Sequence, residues 1–204
     1  MTSAAQPNAT SSMQWQTIVF GGAILGLVTT IGVVIFALVT RALEGTAESV
    51  VQMILVLAGG IVFSVFPALR VRPTDVDSIA WSAMLGLMGA LVFTVLDTAI
   101  LRPLNLYHWR WDAIGGGSGF WYVPVWWMGS ALIAWLGAWS FANASRNGEP
   151  NLPSLIGQAA GVAILLTAIL TVTGLVPFGA PGVALAFTIG LVFMVPLTSM
   201  MHRG

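Results

Sequence analysis

The sequence predicts an all-α protein, a polytopic transmembrane helical bundle with about six spans. Of its 204 residues, 57% are hydrophobic and only 7% are charged, whereas a soluble domain carries roughly 25% charged residues. The apolar residues form six long runs, and one helical crossing of the hydrocarbon needs about 20 such residues. The runs are continuous rather than alternating, so they predict helices and not the strands of a barrel. This composition excludes a water-soluble enzyme.

The predicted spans follow one another with mostly short connections. A polar, uncharged segment, 1–14, precedes them and is expected to be an N-terminal tail, so residues 15–204 form a single six-helix transmembrane domain. The connection between the third and fourth spans, from Arg102 to Tyr122, is the exception, because it is long, glycine-rich and aromatic. The predicted spans are Thr17–Val39, Val50–Leu69, Ile79–Leu101, Val123–Ala142, Leu155–Leu175 and Gly182–Met201.

The composition also restricts the chemistry. The chain contains no cysteine and no lysine, which excludes disulfides, covalently attached c-type haem and a retinal Schiff base. Its two histidines, His108 and His202, lie outside the long apolar runs. The formal net charge is zero, so nothing favours binding to nucleic acid. We therefore expect no covalently held cofactor, no metal and no nucleic-acid partner.

The arginines give the expected orientation, since loops rich in Lys and Arg tend to stay in the cytoplasm. Four arginines lie on the side that carries both termini, and three lie on the other side. This small excess favours cytoplasmic termini and an aromatic loop outside, in a bacterial inner (cytoplasmic) membrane. The first group is Arg70, Arg72, Arg146 and Arg203, and the second is Arg41, Arg102 and Arg110.

Asp97 is the only ionisable residue well inside a predicted span. An acidic group in the membrane is energetically costly and often marks a functional site. In a catalytic role it would carry a proton or act as a general acid at the mouth of a lipid-facing pocket. In a structural role it would pair with Arg102 or reach water, because it lies about one turn from the end of its span. The structural role is favoured, since edge positions cost less than the bilayer centre.

The long loop concentrates aromatic and polar side chains near one membrane face. One interpretation is an aromatic belt at the lipid headgroups, where tryptophan and tyrosine are enriched. The other is a flat stacking surface for a non-covalently bound carotenoid, quinone or lipid, with Arg110 and Asp112 contributing to its polar end. The candidate cofactor-binding residues are His108, Trp109, Trp111 and Trp121.

Small residues recur at four-residue spacing in several spans. This spacing lets helix backbones approach closely, either within one bundle or against a partner subunit. Packing within the bundle is the favoured interpretation, because such motifs are common there. The motifs are Gly22-x-x-x-Gly26, Ser82-x-x-x-Gly86-x-x-x-Ala90, Ser130-x-x-x-Ala134-x-x-x-Ala138 and Gly157-x-x-x-Gly161.

One stretch has a recognisable order of features. Asp97 lies late in a helix and is followed by Tyr107-His108-Trp109, a glycine-rich turn at Gly115–Gly119 and a helix opening at Val123-Pro124. In this order, residues 97–135 resemble polytopic membrane proteins of carotenoid biosynthesis, of the carotenoid-hydratase and lycopene-cyclase type. The resemblance implies a membrane enzyme that acts on an isoprenoid and uses Asp97 as its acidic group.

Three functions follow as hypotheses. The first is an accessory or structural subunit of a larger membrane complex, in contact with lipids and with other membrane subunits. It fits the scarcity of catalytic groups and the small-residue faces. The second is an isoprenoid- or carotenoid-modifying enzyme using Asp97. The third is a small transporter, which ranks last because the spans otherwise offer only Gln52, Gln158 and hydroxyl groups.

Overall fold

The computed structural model describes residues 8–106, 122–145 and 150–201, which form a helical bundle without strands. Six helices in this part of the chain are long and apolar enough to cross a membrane, which confirms the predicted all-α bundle of an integral membrane protein. In chain order they are α1 (Asn8–Ala42), α2 (Gly45–Val71), α3 (Val76–Leu96), which continues into a π-helical turn (Asp97–Leu101), α4 (Tyr122–Ala144), α5 (Leu152–Val172) and α6 (Ala180–Met201).

Helix α1 is longer than the apolar run that predicts it. It begins at Asn8, whereas the predicted span begins at Thr17. Residues 8–14 are therefore helical, although the sequence favours a tail over 1–14. This segment contains neither glycine nor proline, so no strong helix breaker separates it from the apolar run. Residues 1–7 lie outside the described part of the chain.

Helix α2 connects the whole bundle, because it contacts each of the other five helices. Helix α3 packs between α1 and α4, and α5 packs mainly on α6. One buried cluster joins α1, α2 and α3 around Ile18, Leu25, Phe63 and Leu85. A second joins α4, α5 and α6 around Phe187. Many large apolar side chains remain exposed on the outer surface, as expected for helices that face lipid.

Side chains outside the membrane fix the turn between α2 and α3. After α2, Arg72 is left-handed (φ 53°), and its N–H donates to the Ala68 carbonyl. Asp75 is the N-cap of α3, and its carboxylate accepts from the Ser78 hydroxyl at 2.7 Å and the Ser78 N–H at 2.8 Å. These two bonds, the hydroxyl first, hold the pKa of Asp75 below its ordinary value. The cap is therefore lost as the pH falls through that lowered pKa.

Several close helix contacts are made at glycine. A Cβ atom on Gly137 in α4 would clash with the main chain of Ser64 in α2, including its carbonyl oxygen. A Cβ atom on Gly86 in α3 would lie 2.5 Å from the Cβ of Ala134 in α4. Both positions therefore require glycine, because any side chain would force the helix backbones apart.

Three of the four small-residue motifs lie inside the bundle, in α1, α3 and α4, where all of their small residues are buried. For these motifs the structure confirms packing within the bundle. The motif of α5 differs. Gly157 and Gly161 are exposed, and a Cβ atom on either would meet no described atom within 4 Å. The same sequence pattern is therefore buried inside the bundle in three helices and exposed on the surface in α5.

The contact between α2 and α4 provides a test of this packing. Gly137→Ala places a methyl group against the main chain of Ser64, so we expect the free energy of unfolding to fall by about 1–3 kcal/mol. Gly129→Ala is the matched control in the same helix, because a Cβ atom there meets no described atom within 4 Å. Alanine is a better helix former than glycine, so Gly129→Ala should not lower the free energy of unfolding. Denaturation in detergent measures both variants, and equal losses would contradict the close contact.

Candidate functional site

The candidate site lies where α3 ends. Asp97 is only 1% exposed, and Ala90 and Phe93, which precede it on the same side of the helix, are also buried. The carboxylate therefore belongs to the inner face of α3 and does not face lipid. This position is consistent with the cost of exposing an acidic group to hydrocarbon.

The backbone changes its winding at Asp97. The Arg102 N–H donates to the Asp97 carbonyl at 2.9 Å, five residues back, as in a π-helical turn. In an α-helix, which has about 3.6 residues per turn, two side chains that are five residues apart point to different sides of the helix. The wider turn reduces that angle, so Arg102 returns to the face that carries Asp97.

Asp97 and Arg102 form an ion pair. Arg102 Nε donates to Asp97 Oδ2 at 3.2 Å, and the Arg102 side chain is 26% exposed. The structure thus confirms the pairing that the structural interpretation of Asp97 predicts. The guanidinium next to the buried carboxylate compensates its charge. The arginine reaches the surface, so the pair connects the bundle interior with the membrane face.

Aromatic rings from α4 surround the residues just before Asp97. The Trp127 indole N–H donates to the Thr94 hydroxyl at 3.0 Å. The Trp126 ring lies 5.5 Å from the Phe93 ring and 6.3 Å from the Phe63 ring, centroid to centroid. These contacts pin the start of α4 to α2 and α3. The sequence predicts that these tryptophans lie near the membrane face, but it does not identify the residues that they contact.

Polar groups at this end of the bundle also bind one another. Arg41 Nη2, at the end of α1, donates to the Asn105 carbonyl at 2.7 Å. In α2, Gln52 Nε2 donates to Glu48 Oε1 at 2.8 Å and to Thr40 Oγ1 at 2.9 Å. The hydrogen bonds connect α1 with α2 and with the turn after Asp97. These groups therefore fasten helix ends together.

The other predicted site residues lie outside the described part of the chain. His108, Trp109, Trp111 and Trp121 all lie in the segment 107–121, outside the described residues. Over the described ranges, no group of three or more His, Asp or Glu side chains is arranged to hold a metal ion.

A buried amide in α4 is a site that sequence reasoning missed. Asn143 is 2% exposed, and its Nδ2 donates to the Val195 carbonyl at 3.1 Å and the Thr198 hydroxyl at 3.4 Å. It therefore joins α4 to α6 beside Pro196, whose ring removes one backbone donor from α6. The sequence gives one indication of this site, because Asn143 is a polar residue at the end of an apolar run. It does not indicate which residues on α6 the amide binds.

Known proteins give no further guide to this site. Models of known protein families do not match the chain, and comparisons with curated proteins and with solved structures find no match either. Its function must therefore be argued from the geometry of its own residues.

A double-mutant cycle tests the ion pair. Arg102→Gln removes the cation from a buried carboxylate, so it should destabilise the protein more than Asp97→Asn does. If the side chains interact as described, the double variant should be more stable than the sum of the two losses predicts, by about 1–3 kcal/mol. Chemical unfolding in detergent measures each variant.

The control cycle combines Asp97→Asn with Arg70→Gln. Arg70 lies at the C-terminal end of α2, where its guanidinium sits 5.2 Å from the Phe66 ring centroid. Because α2 ends where α3 begins, Arg70 lies at the opposite end of α3 from Asp97, so the two losses should add. Additive losses in the Asp97–Arg102 cycle as well would argue against the ion pair.

Proposed function

We propose that this integral membrane protein is an accessory or structural subunit of a larger membrane complex. The observation that carries the proposal is the state of Asp97: this acidic residue, about one turn from the end of its span, is buried and compensated by Arg102. A general acid has to reach its substrate, whereas this carboxylate contacts the bundle's own arginine. The geometry therefore supports a packing role better than catalysis.

The outer face of α5 supports a partner subunit. Gly157 and Gly161 form an open strip there, with no described atom within 4 Å of either added Cβ. Beside the strip, Gln158 Nε2 donates to the Ser154 hydroxyl at 3.2 Å. Amide and hydroxyl groups commonly form hydrogen bonds between membrane helices, and small residues let a neighbouring backbone come close. A transmembrane helix of another subunit matches both features.

The cellular setting and the aromatic loop belong to the same proposal. Six spans, as found in the described part of the chain, would put both termini on one side, and the arginine distribution favours the cytoplasmic side for them. The membrane we propose is a bacterial inner membrane. The loop residues His108, Trp109, Trp111 and Trp121 would contact lipid, or a non-covalently held carotenoid or quinone, outside the cytoplasm. Trp126 and Trp127 at the start of α4 place further aromatic rings at the same end of the bundle.

Purification in a mild detergent tests the subunit role. We expect the tagged protein from its native membrane to carry other membrane proteins at fixed stoichiometry in native mass spectrometry. Gly161→Leu fills the open strip of α5 and should release a partner bound there. Gly32→Leu is the control, because a Cβ atom at Gly32 also meets no described atom within 4 Å. A free monomer under all mild conditions would contradict the subunit role, and equal retention by both variants would exclude α5 as the docking face.

An isoprenoid-modifying enzyme is the second candidate, and one observation favours it. Asp97 starts a π-helical turn, and such turns are frequent at functional sites. In this case the aromatic rings of Trp126 and Phe93 would line the approach of a polyene. Asp97→Asn should then change the polyene or quinone content of the cell. An unchanged lipid extract, with the variant present at the normal level, would exclude this function.

A further inference from the structure

A small, partly open cavity of about 30 Å³ lies where α2, α4, α5 and α6 meet. Its lining is mostly apolar and includes Ala68, Phe141 and Leu191. Two polar side chains also line it, Ser64 from α2 and Ser140 from α4. The cavity therefore combines an apolar wall with two hydroxyl groups from different helices.

The Ser140 hydroxyl is one of two buried hydroxyl groups, with that of Thr171, that have no hydrogen-bond partner within the described chain. Ser140 is 4% exposed. Several other buried hydroxyls donate to a carbonyl of their own helix, as Ser82 Oγ does to Ser78 at 3.1 Å and Thr167 Oγ1 does to Ala163 at 2.7 Å. A buried polar group without a partner is costly, so a partner from outside the chain is expected.

We propose that this cavity binds one ordered water molecule, hydrogen-bonded to the Ser140 and Ser64 hydroxyls. A water needs about 10–15 Å³ by this measure of volume, together with two to four polar partners. The Ser64 hydroxyl donates to the Ile61 carbonyl at 3.0 Å, which leaves its lone pairs free to accept. The Ser140 hydroxyl can donate to the water or accept from it.

The surroundings favour water over other ligands. The lining residues carry no ionisable group, so nothing there compensates the charge of an ion. A lipid chain would offer no hydrogen bond to the two hydroxyl groups. The water would join α2 to α4 next to the Gly137–Ser64 contact, and would thus complete the interface where these two helices come closest.

An experimental density map at about 2 Å resolution tests the site directly. We expect a peak within hydrogen-bond distance of Ser140 Oγ in the full-length protein, and its loss in Ser140→Ala. An empty cavity in the wild-type protein would overturn the proposal. So would a side chain or lipid that fills the cavity, or a peak that persists in Ser140→Ala.

Thermal unfolding in detergent gives a second, independent answer. A bound water makes the Ser140 hydroxyl stabilising, so Ser140→Ala should lower the melting temperature by about 2–4 °C. A hydroxyl that truly lacks a partner would have the opposite sign, because its removal relieves an unsatisfied polar group. An unchanged or raised melting temperature would therefore overturn the proposal. Ser82→Ala is the control for the loss of a buried hydroxyl whose partner is known. This site does not depend on the subunit role.

Discussion

The close approach of helix backbones at small residues is the constraint on which this bundle depends. Lipid tails are as apolar as the helices, so the hydrophobic effect does little to drive the spans together. Close packing has to provide the attraction. Gly137 lets α4 reach the main chain of Ser64 in α2, and Gly86 lets α3 reach Ala134. Because α2 contacts every other helix, its close contact with α4 positions the rest of the bundle.

Polar side chains also hold the helices together. Asp97 binds Arg102, Asn143 binds the Val195 carbonyl, and Trp127 binds Thr94. Each bond joins two helices or fixes a helix end, where an unpaired polar group would be costly in hydrocarbon. The scarcity of charge in the sequence therefore has a structural counterpart. These three contacts connect helices or hold a helix end, and the proposed subunit role rests on the first of them.

Hydropathy predicts the six spans well, because crossing the membrane requires long apolar helices whatever their neighbours are. The Asp97–Arg102 pair is also predictable, since its partners are close in sequence. The π turn that aligns them is not, because it depends on local backbone winding. Asn143 and Val195 are far apart in sequence and meet only in the packed bundle. Likewise, the motifs at Gly22 and Gly157 look alike, yet only the first is buried; sequence periodicity does not say which helix, if any, lies opposite.

Close helix contacts bury Ser82 of α3 and Ser130 of α4 inside the described part of the bundle. Single-cysteine accessibility tests this burial, since the chain has no cysteine of its own. We expect Ser82→Cys and Ser130→Cys, at buried positions of α3 and α4, to resist a water-soluble maleimide from both sides of the membrane. Cysteine at the exposed turn residues Glu44 and Thr74 should react readily, each from one side. Rapid labelling at Ser82→Cys or Ser130→Cys in the folded protein would contradict this burial.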